Sequence, residues 1–248
     1  SLMGTMVLRR GGHGLSRLLL PAMTFAMSRR LCAAAHLRVD SGTASLPDPS
    51  KARGEDAHFV TSRSALTWAG VFDGVGGWAR HGIDPSKYSR ELSRLVEGSM
   101  LDQLQAGDES APCLLTALAH AHAENREVGT CTACLAVVDG ASSRVKTLNL
   151  GDSGVWVVRP EGAAFRIVHR SASQQHAFNT PYQLGTQSGD SAEDAHLAEV
   201  DCQEGDLLIL GTDGLFDNMS EDDVLSLLPK GGDAQTIAER LPGTAGKE

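Results

Sequence analysis

Short apolar runs separated by polar turns dominate this chain, and two of them end in the same dipeptide. Residues 57–61 and 66–72 read as strands joined by the polar turn Ser62-Arg63-Ser64. Residues 132–139, 145–150 and 155–159 are further β-type runs. Asp139-Gly140 and Gly151-Asp152-Ser153-Gly154 separate them in a meander pattern, with Asp152 ordering a hairpin turn. Residues 165–168 add a candidate strand, and 207–212 a strongly apolar one. The polar stretch 169–199 reads as an irregular excursion or a lid over a site.

Helical periodicity takes over elsewhere. Asp84-Pro85 opens a helix whose apolar stripe runs through Tyr88, Leu92, Leu95 and Val96 toward Leu101 and Leu104. Gly107-Asp108 breaks it, and a second helix covers residues 112–125. Ser220 caps a helix with three acids in its first turn, ending near Pro229, and a last helix spans 233–241. Helices grouped early, then adjoining strands, predict an α+β class with mainly antiparallel sheets.

The repeated dipeptide is Asp-Gly, in Val71-Phe72-Asp73-Gly74 and again in Gly211-Thr212-Asp213-Gly214, 140 residues later. Each copy delivers a carboxylate at a strand end, with a glycine freeing the backbone to turn. Taken singly, each is an ordinary turn start. Taken together with Glu55-Asp56, just ahead of another strand, they place four carboxylates at strand ends. Oxygen-only sets of this kind suit Mg²⁺ or Mn²⁺, and the Gly74 carbonyl can add a ligand. Cys131-Thr132-Ala133-Cys134 has CxxC spacing, but residues three apart on a strand face opposite sides, so these cysteines read as structural.

Charge refines the outline. Residues 1–39 hold six arginines and no Asp, Glu or Lys, leaving 16 basic against 31 acidic residues in the rest. That segment reads as an organellar transit peptide or a disordered tail, and 40–248 as one folded domain. The net charge of −9 argues against non-specific nucleic-acid binding. No apolar stretch is long enough to span a membrane. Five scattered cysteines suit a reducing compartment.

Four motifs stand in a familiar order: Glu55-Asp56-Ala57, Asp73-Gly74-Val75-Gly76-Gly77, Leu150-Gly151-Asp152-Ser153, and Asp213-Gly214-Leu215-Phe216-Asp217-Asn218. Between about Gly54 and Leu228 the chain resembles the metal-dependent protein phosphatases (PPM, type 2C serine/threonine phosphatases). The run from Gln174 to Leu184 is similar to the mitochondrial branch of that family, which agrees with the Arg-rich N-terminal segment. The resemblance implies a central β-sandwich of two antiparallel sheets flanked by helices, two Mg²⁺ or Mn²⁺ ions, and phosphorylated proteins as substrates. It implies Asp73 as the bridging ligand, Glu55 and the Gly74 carbonyl on one cation, Asp213 on the other, and Asp56 acting through water. Water activated between the cations would attack phosphorus in line.

The chain departs from the family pattern in three places. Val75 stands where members often carry a His that protonates the leaving group; His58 and His81 are near in sequence. Either Lys51 or Arg53 would hold the substrate phosphate. The family's closing strand, with its Asp ligand, has no counterpart before Glu248, which motivates a second reading as a weak or inactive phosphoprotein-binding domain. The resemblance also suggests an additional cation near Glu127, which Asp217 could join, although capping the turn after Phe216 is the favoured role for Asp217.

Overall fold

The computed structural model describes residues 2–10, 36–46, 54–105, 111–229 and 233–241. In chain order the first strands are β1 (Leu2–Arg10), β2 (Leu37–Ser45), β3 (Ala57–Arg63) and β4 (Leu66–Phe72). A 3₁₀ turn (Gly76–His81) and helices α1 (Pro85–Gln105) and α2 (Leu114–Glu124) follow. Then come β5 (Thr130–Cys131), β6 (Ala133–Asp139), β7 (Arg144–Leu150), β8 (Gly154–Glu161) and β9 (Ala164–Arg170). Three short strands, β10 (Gln175–Ala177), β11 (Thr180–Pro181) and β12 (Leu184–Gly185), precede β13 (His196–Asp201) and β14 (Leu207–Gly211). Helices α3 (Asp213–Phe216), α4 (Glu221–Leu227) and α5 (Ala234–Arg240) complete the described chain.

Two five-stranded sheets, ordered β2-β1-β14-β8-β9 and β13-β7-β6-β4-β3, are antiparallel at every pairing. The continuous apolar runs follow from burial on both faces. Ala69 and Val71 of β4, Cys134, Ala136 and Val138 of β6, and Leu208 and Leu210 of β14 fill the layer between the sheets. The alternate residues of the same strands face outward. Trp68, Phe72, Leu135 and Val137 pack under Tyr88, Leu92 and Val96 of α1 and Leu118 of α2. On the other side Trp156, Val158, Leu207 and Ile209 pack under Val224 of α4 and Ile237 of α5. The result is the four-layer helix–sheet–sheet–helix arrangement expected for an α+β sandwich.

The predicted helix starts are observed. Asp84 accepts from the Ser86 N–H at 3.0 Å, Ser220 from the Asp223 N–H at 3.2 Å, and Asp233 from the Thr236 N–H at 2.8 Å. Cys131 and Cys134 fall in different apolar layers, and both are free thiols. None of the helices among the described residues is long and apolar enough to cross a membrane.

Four expectations are corrected. The folded domain does not start at residue 40: β1 lies between β2 and β14, paired to both, with Met6 buried between the sheets. Residues 11–35 are outside the described residues. Second, β7 and β8 do not form a hairpin. They belong to opposite sheets, and Gly151–Ser153 is the crossing between them. Third, residues 169–199 are not irregular throughout, since they hold three short strands and most of β13. The edge position of β13 leaves most of its side chains at the surface, so its sequence has no apolar run. Fourth, neither Gly74 nor Gly214 adopts a positive φ. At Gly74 the need is close approach: a Cβ there would lie 2.7 Å from the Glu55 carbonyl oxygen and 2.8 Å from that of Pro85.

Burial sets the stability expectation. Leu135→Ala, in the fully buried face under the helices, should lower unfolding free energy by about 2–5 kcal/mol. Leu197→Ala, on exposed β13, should stay within about 0.5 kcal/mol. Urea unfolding of both variants tests the assignment of faces; equal losses would contradict it.

Candidate active site

Strand register gathers the acidic strand ends at one end of the sandwich. Ala57 opposes Phe72, so Asp56, just before β3, lies beside Asp73, just after β4. Val71 opposes Cys134, and Ala133 opposes Leu150, which brings the start of β6 and the end of β7 to the same end. In the other sheet Gly154 opposes Gly211, so the crossing at 151–153 arrives beside Thr212 and Asp213. Asp56 and Asp73 thus come from one sheet and Asp213 from the other.

The side chains meet. The Asp73 carboxyl lies close enough to those of Asp56 and Asp213 for the three to act on one another electrostatically. Burial, and then the charges of Asp56 and Asp213, push the Asp73 carboxyl well above the usual carboxylate range. Burial raises Asp56 too, with Asp213 adding to the effect and hydrogen bonds from Asp73 and Thr212 opposing it. The Thr212 hydroxyl donates to Asp56 Oδ2 at 3.3 Å, which joins the two sheets directly.

Like charges at about 4 Å repel by about 4 kcal/mol per pair at a surface-like dielectric, so crowding half-buried carboxylates together is costly unless positive charge joins them. Positive charge must sit among them, either as shared protons or as cations. Among the described residues no set of three His, Cys, Asp or Glu side chains is already drawn up as a metal cage. What exists is an oxygen-only trio whose burial makes added positive charge favourable, and that chemistry fits a hard divalent cation.

The surroundings hold the trio in place. The Asp73 carbonyl accepts from the Thr132 N–H at 3.0 Å, and the Val75 N–H donates to the Thr130 carbonyl at 3.0 Å. The Asp73 N–H donates to Thr132 Oγ1, which pairs at 2.7 Å with Ser153 Oγ in the crossing between the sheets. The stretch read as an excursion or lid is tied to the same segment: β12 pairs with β5, and the Thr186 hydroxyl accepts from the Gly129 N–H at 3.1 Å. Asp213 opens α3 directly, and its carbonyl accepts from the Asp217 N–H at 2.7 Å.

The remaining expected residues are distributed as follows. The Glu55 carboxylate lies against Gly76, where a Cβ would come within 3.0 Å of Oε2. Lys51 and Arg53 are outside the described residues. Val75 brings no titratable group. His81 ends the 3₁₀ turn in edge contact with Trp78, their ring centroids 6.1 Å apart. His58 lines a cavity of about 380 Å³ beside Asp56, together with Arg90, Ser93, Arg94 and Glu97. Glu127 is exposed in the turn after α2.

Asp152 is where sequence reasoning erred. Instead of ordering a hairpin, it sits at the crossing beside the trio, and its Oδ2 accepts from Gln175 Nε2 at 3.2 Å. Burial, then Asp213, and then Asp217, push its carboxyl up to about 6. Thr132, Ser153 and Thr212 were missed altogether. Their only sequence signal is a hydroxyl next to an apolar strand end.

The comparisons agree with this architecture. Residues 64–245 match the family described as Stage II sporulation protein E (SpoIIE). The chain is 40% identical over 187 residues to "Protein phosphatase PTC7 homolog" of Xenopus laevis, a match covering 71% of this chain and 61% of that protein. It is 38% identical over 217 residues to "Probable protein phosphatase 2C 80" of Arabidopsis thaliana, covering 82% and 49% respectively. The chain therefore spans about half to three-fifths of the length of these curated relatives. Among solved structures, the photosystem II phosphatase PBCP superposes with a TM-score of 0.73 at 31% identity, covering 82% of this chain and 78% of that one. The catalytic domain of the serine/threonine phosphatase PstP, solved with 2 manganese ions, shares the fold at 16% identity and a TM-score of 0.53, covering 99% and 92%.

The raised Asp152 carboxyl carries a signed pH prediction. Its folded value lies above that of the unfolded chain, so the folded state binds more protons between about pH 4 and 6. Stability therefore falls as pH rises through that window, and the loss persists above it. Asp152→Asn should stabilise the metal-free protein by about 1–2 kcal/mol at pH 7, reduced from the full shift by partial exposure, with no gain at pH 4. Urea unfolding at the two pH values checks this, and an equal effect at both would refute it.

Proposed function

Because the chain belongs to the metal-dependent protein phosphatase family (PPM, type 2C), we propose that it hydrolyses phosphoserine and phosphothreonine in proteins, using Mg²⁺ or Mn²⁺. The observation that carries this reading is the convergence of Asp56, Asp73 and Asp213 from two sheets into one half-buried trio. Asp73, electrostatically coupled to both of the others, would suit the bridging role. Glu55 and the Gly74 carbonyl would hold one cation and Asp213 the other, with Asp56 fixed by Thr212 to receive water. Bound cations would supply Lewis-acid charge for the phosphoryl oxygens and activate the attacking water.

The chain's own groups do the positioning. Thr132 and Ser153 fix the peptide of Asp73, and Thr212 ties Asp56 to the opposite sheet. Val75 has no proton to give the leaving alkoxide, so its protonation falls to solvent. Lys51 or Arg53, just ahead of Glu55, is assigned the substrate phosphate.

The proposal predicts Mn²⁺-dependent release of phosphate from a phosphothreonine peptide, lost on adding EDTA. Asp73→Asn should reduce the rate by more than about 100-fold, the scale on which single active-site electrostatic groups act. Turnover that survives both EDTA and Asp73→Asn would overturn the reading.

A further inference from the structure

We infer that helix α1 latches the Glu55–Asp56 segment in place, with Ser89 and Arg90 as positioning residues for the cation site. This inference rests on the cation-binding reading of the trio. Residues 54–56 precede β3, so the sheet ladder does not fix their carbonyl groups. Helix α1 takes two of them. The buried Ser89 hydroxyl donates to the Glu55 carbonyl at 2.5 Å, and Arg90 Nη2 donates to the Gly54 carbonyl at 2.9 Å.

Arg90 is itself oriented. Its Nη1 donates to Ser86 Oγ at 2.8 Å, and Ser86 Oγ donates onward to Asp84 Oδ1 at 2.7 Å. Helix capping does not account for this chain of contacts. The cap is complete with Asp84 and the Ser86 N–H, and neither Ser89 nor Arg90 takes part in it. Ser86, Ser89 and Arg90 recur at i, i+3 and i+4, so they form one polar stripe facing the 54–56 segment.

Gly74 also lies against the Glu55 carbonyl. Only a glycine fits there, since a Cβ would lie 2.7 Å from that oxygen. The backbone of Glu55 is therefore packed against both α1 and the residue following Asp73. Two ligands that precede β3 are thereby fixed relative to the one that follows β4. Partners that orient ligands in this way typically control metal affinity by about 10–100-fold.

Calorimetric titration of the full chain with Mn²⁺ alone tests the latch. Ser89→Ala and Arg90→Gln should each weaken Mn²⁺ binding by about 10-fold or more. Arg90→Lys keeps the charge but cannot span Ser86 and Gly54 together, and should weaken binding as well. Lys87→Gln removes a positive charge from the same helix turn without touching the segment, and should leave affinity unchanged. If buried Ser89→Ala fails to fold, the exposed Arg90 variants carry the test, with circular dichroism confirming their fold. Unchanged affinity in folded Arg90→Gln, or a loss equal to that of Lys87→Gln, overturns the latch alone. No Mn²⁺ binding by the unsubstituted chain, or equal binding by Asp73→Asn, overturns the cation-site reading and the latch with it.

Discussion

Three carboxylates crowded together at the rim of a sandwich repel one another, and the rest of this structure is organised around containing that repulsion. Asp56, Asp73 and Asp213 would separate if their backbones were free. They are not free, because each sits at a strand end whose ladder continues into a packed sheet. Burial strengthens both the repulsion and the attraction for a cation, since both are screened less than in water. A site of this kind needs a stiff frame before it needs particular ligands.

The frame is the sandwich with its two helical covers. The strands that carry Asp73 and Asp213 are buried on both faces; in β4, Ala69 and Val71 turn inward and Trp68 and Phe72 toward the helices. Hydrophobic burial near 25 cal/mol per Å² across both faces supplies the free energy that offsets the electrostatic cost at the rim. Helix α1 serves both ends of this arrangement. Leu92, Val96 and Met100 anchor it in the core, while its first turns reach the segment that carries Glu55 and Asp56.

Much of this was legible in the sequence, for definite reasons. Strands buried on both faces leave continuous apolar runs, so β4, β6 and β14 and the acids at their ends could be read directly. Asp84-Pro85, Ser220 and Asp233 could be read because a helix start requires a local cap. What escaped was set by distant contacts. The Arg-rich composition of 1–39 masked β1, which is a strand because it has a partner on each side. The turn at Asp152 has the residues of a hairpin, and only packing shows that the chain changes sheets there. Gly74 reads as a turn glycine, whereas its constraint is the nearby Glu55 and Pro85 carbonyls, 19 residues back and 11 on.

Because Asp56 and Asp73 belong to one sheet and Asp213 to the other, the site also gauges the spacing between the sheets. The Thr212–Asp56 hydrogen bond spans that gap, and the inter-sheet layer beneath it is filled partly by small side chains such as Ala69 and Ala136. A slight shear of one sheet over the other, too small to unfold either, would change the distances among the carboxylates. On the proposed reading, cation affinity would thereby be coupled mechanically to packing deep in the sandwich, and whatever compresses or slides the two sheets would act on the chemistry at their rim.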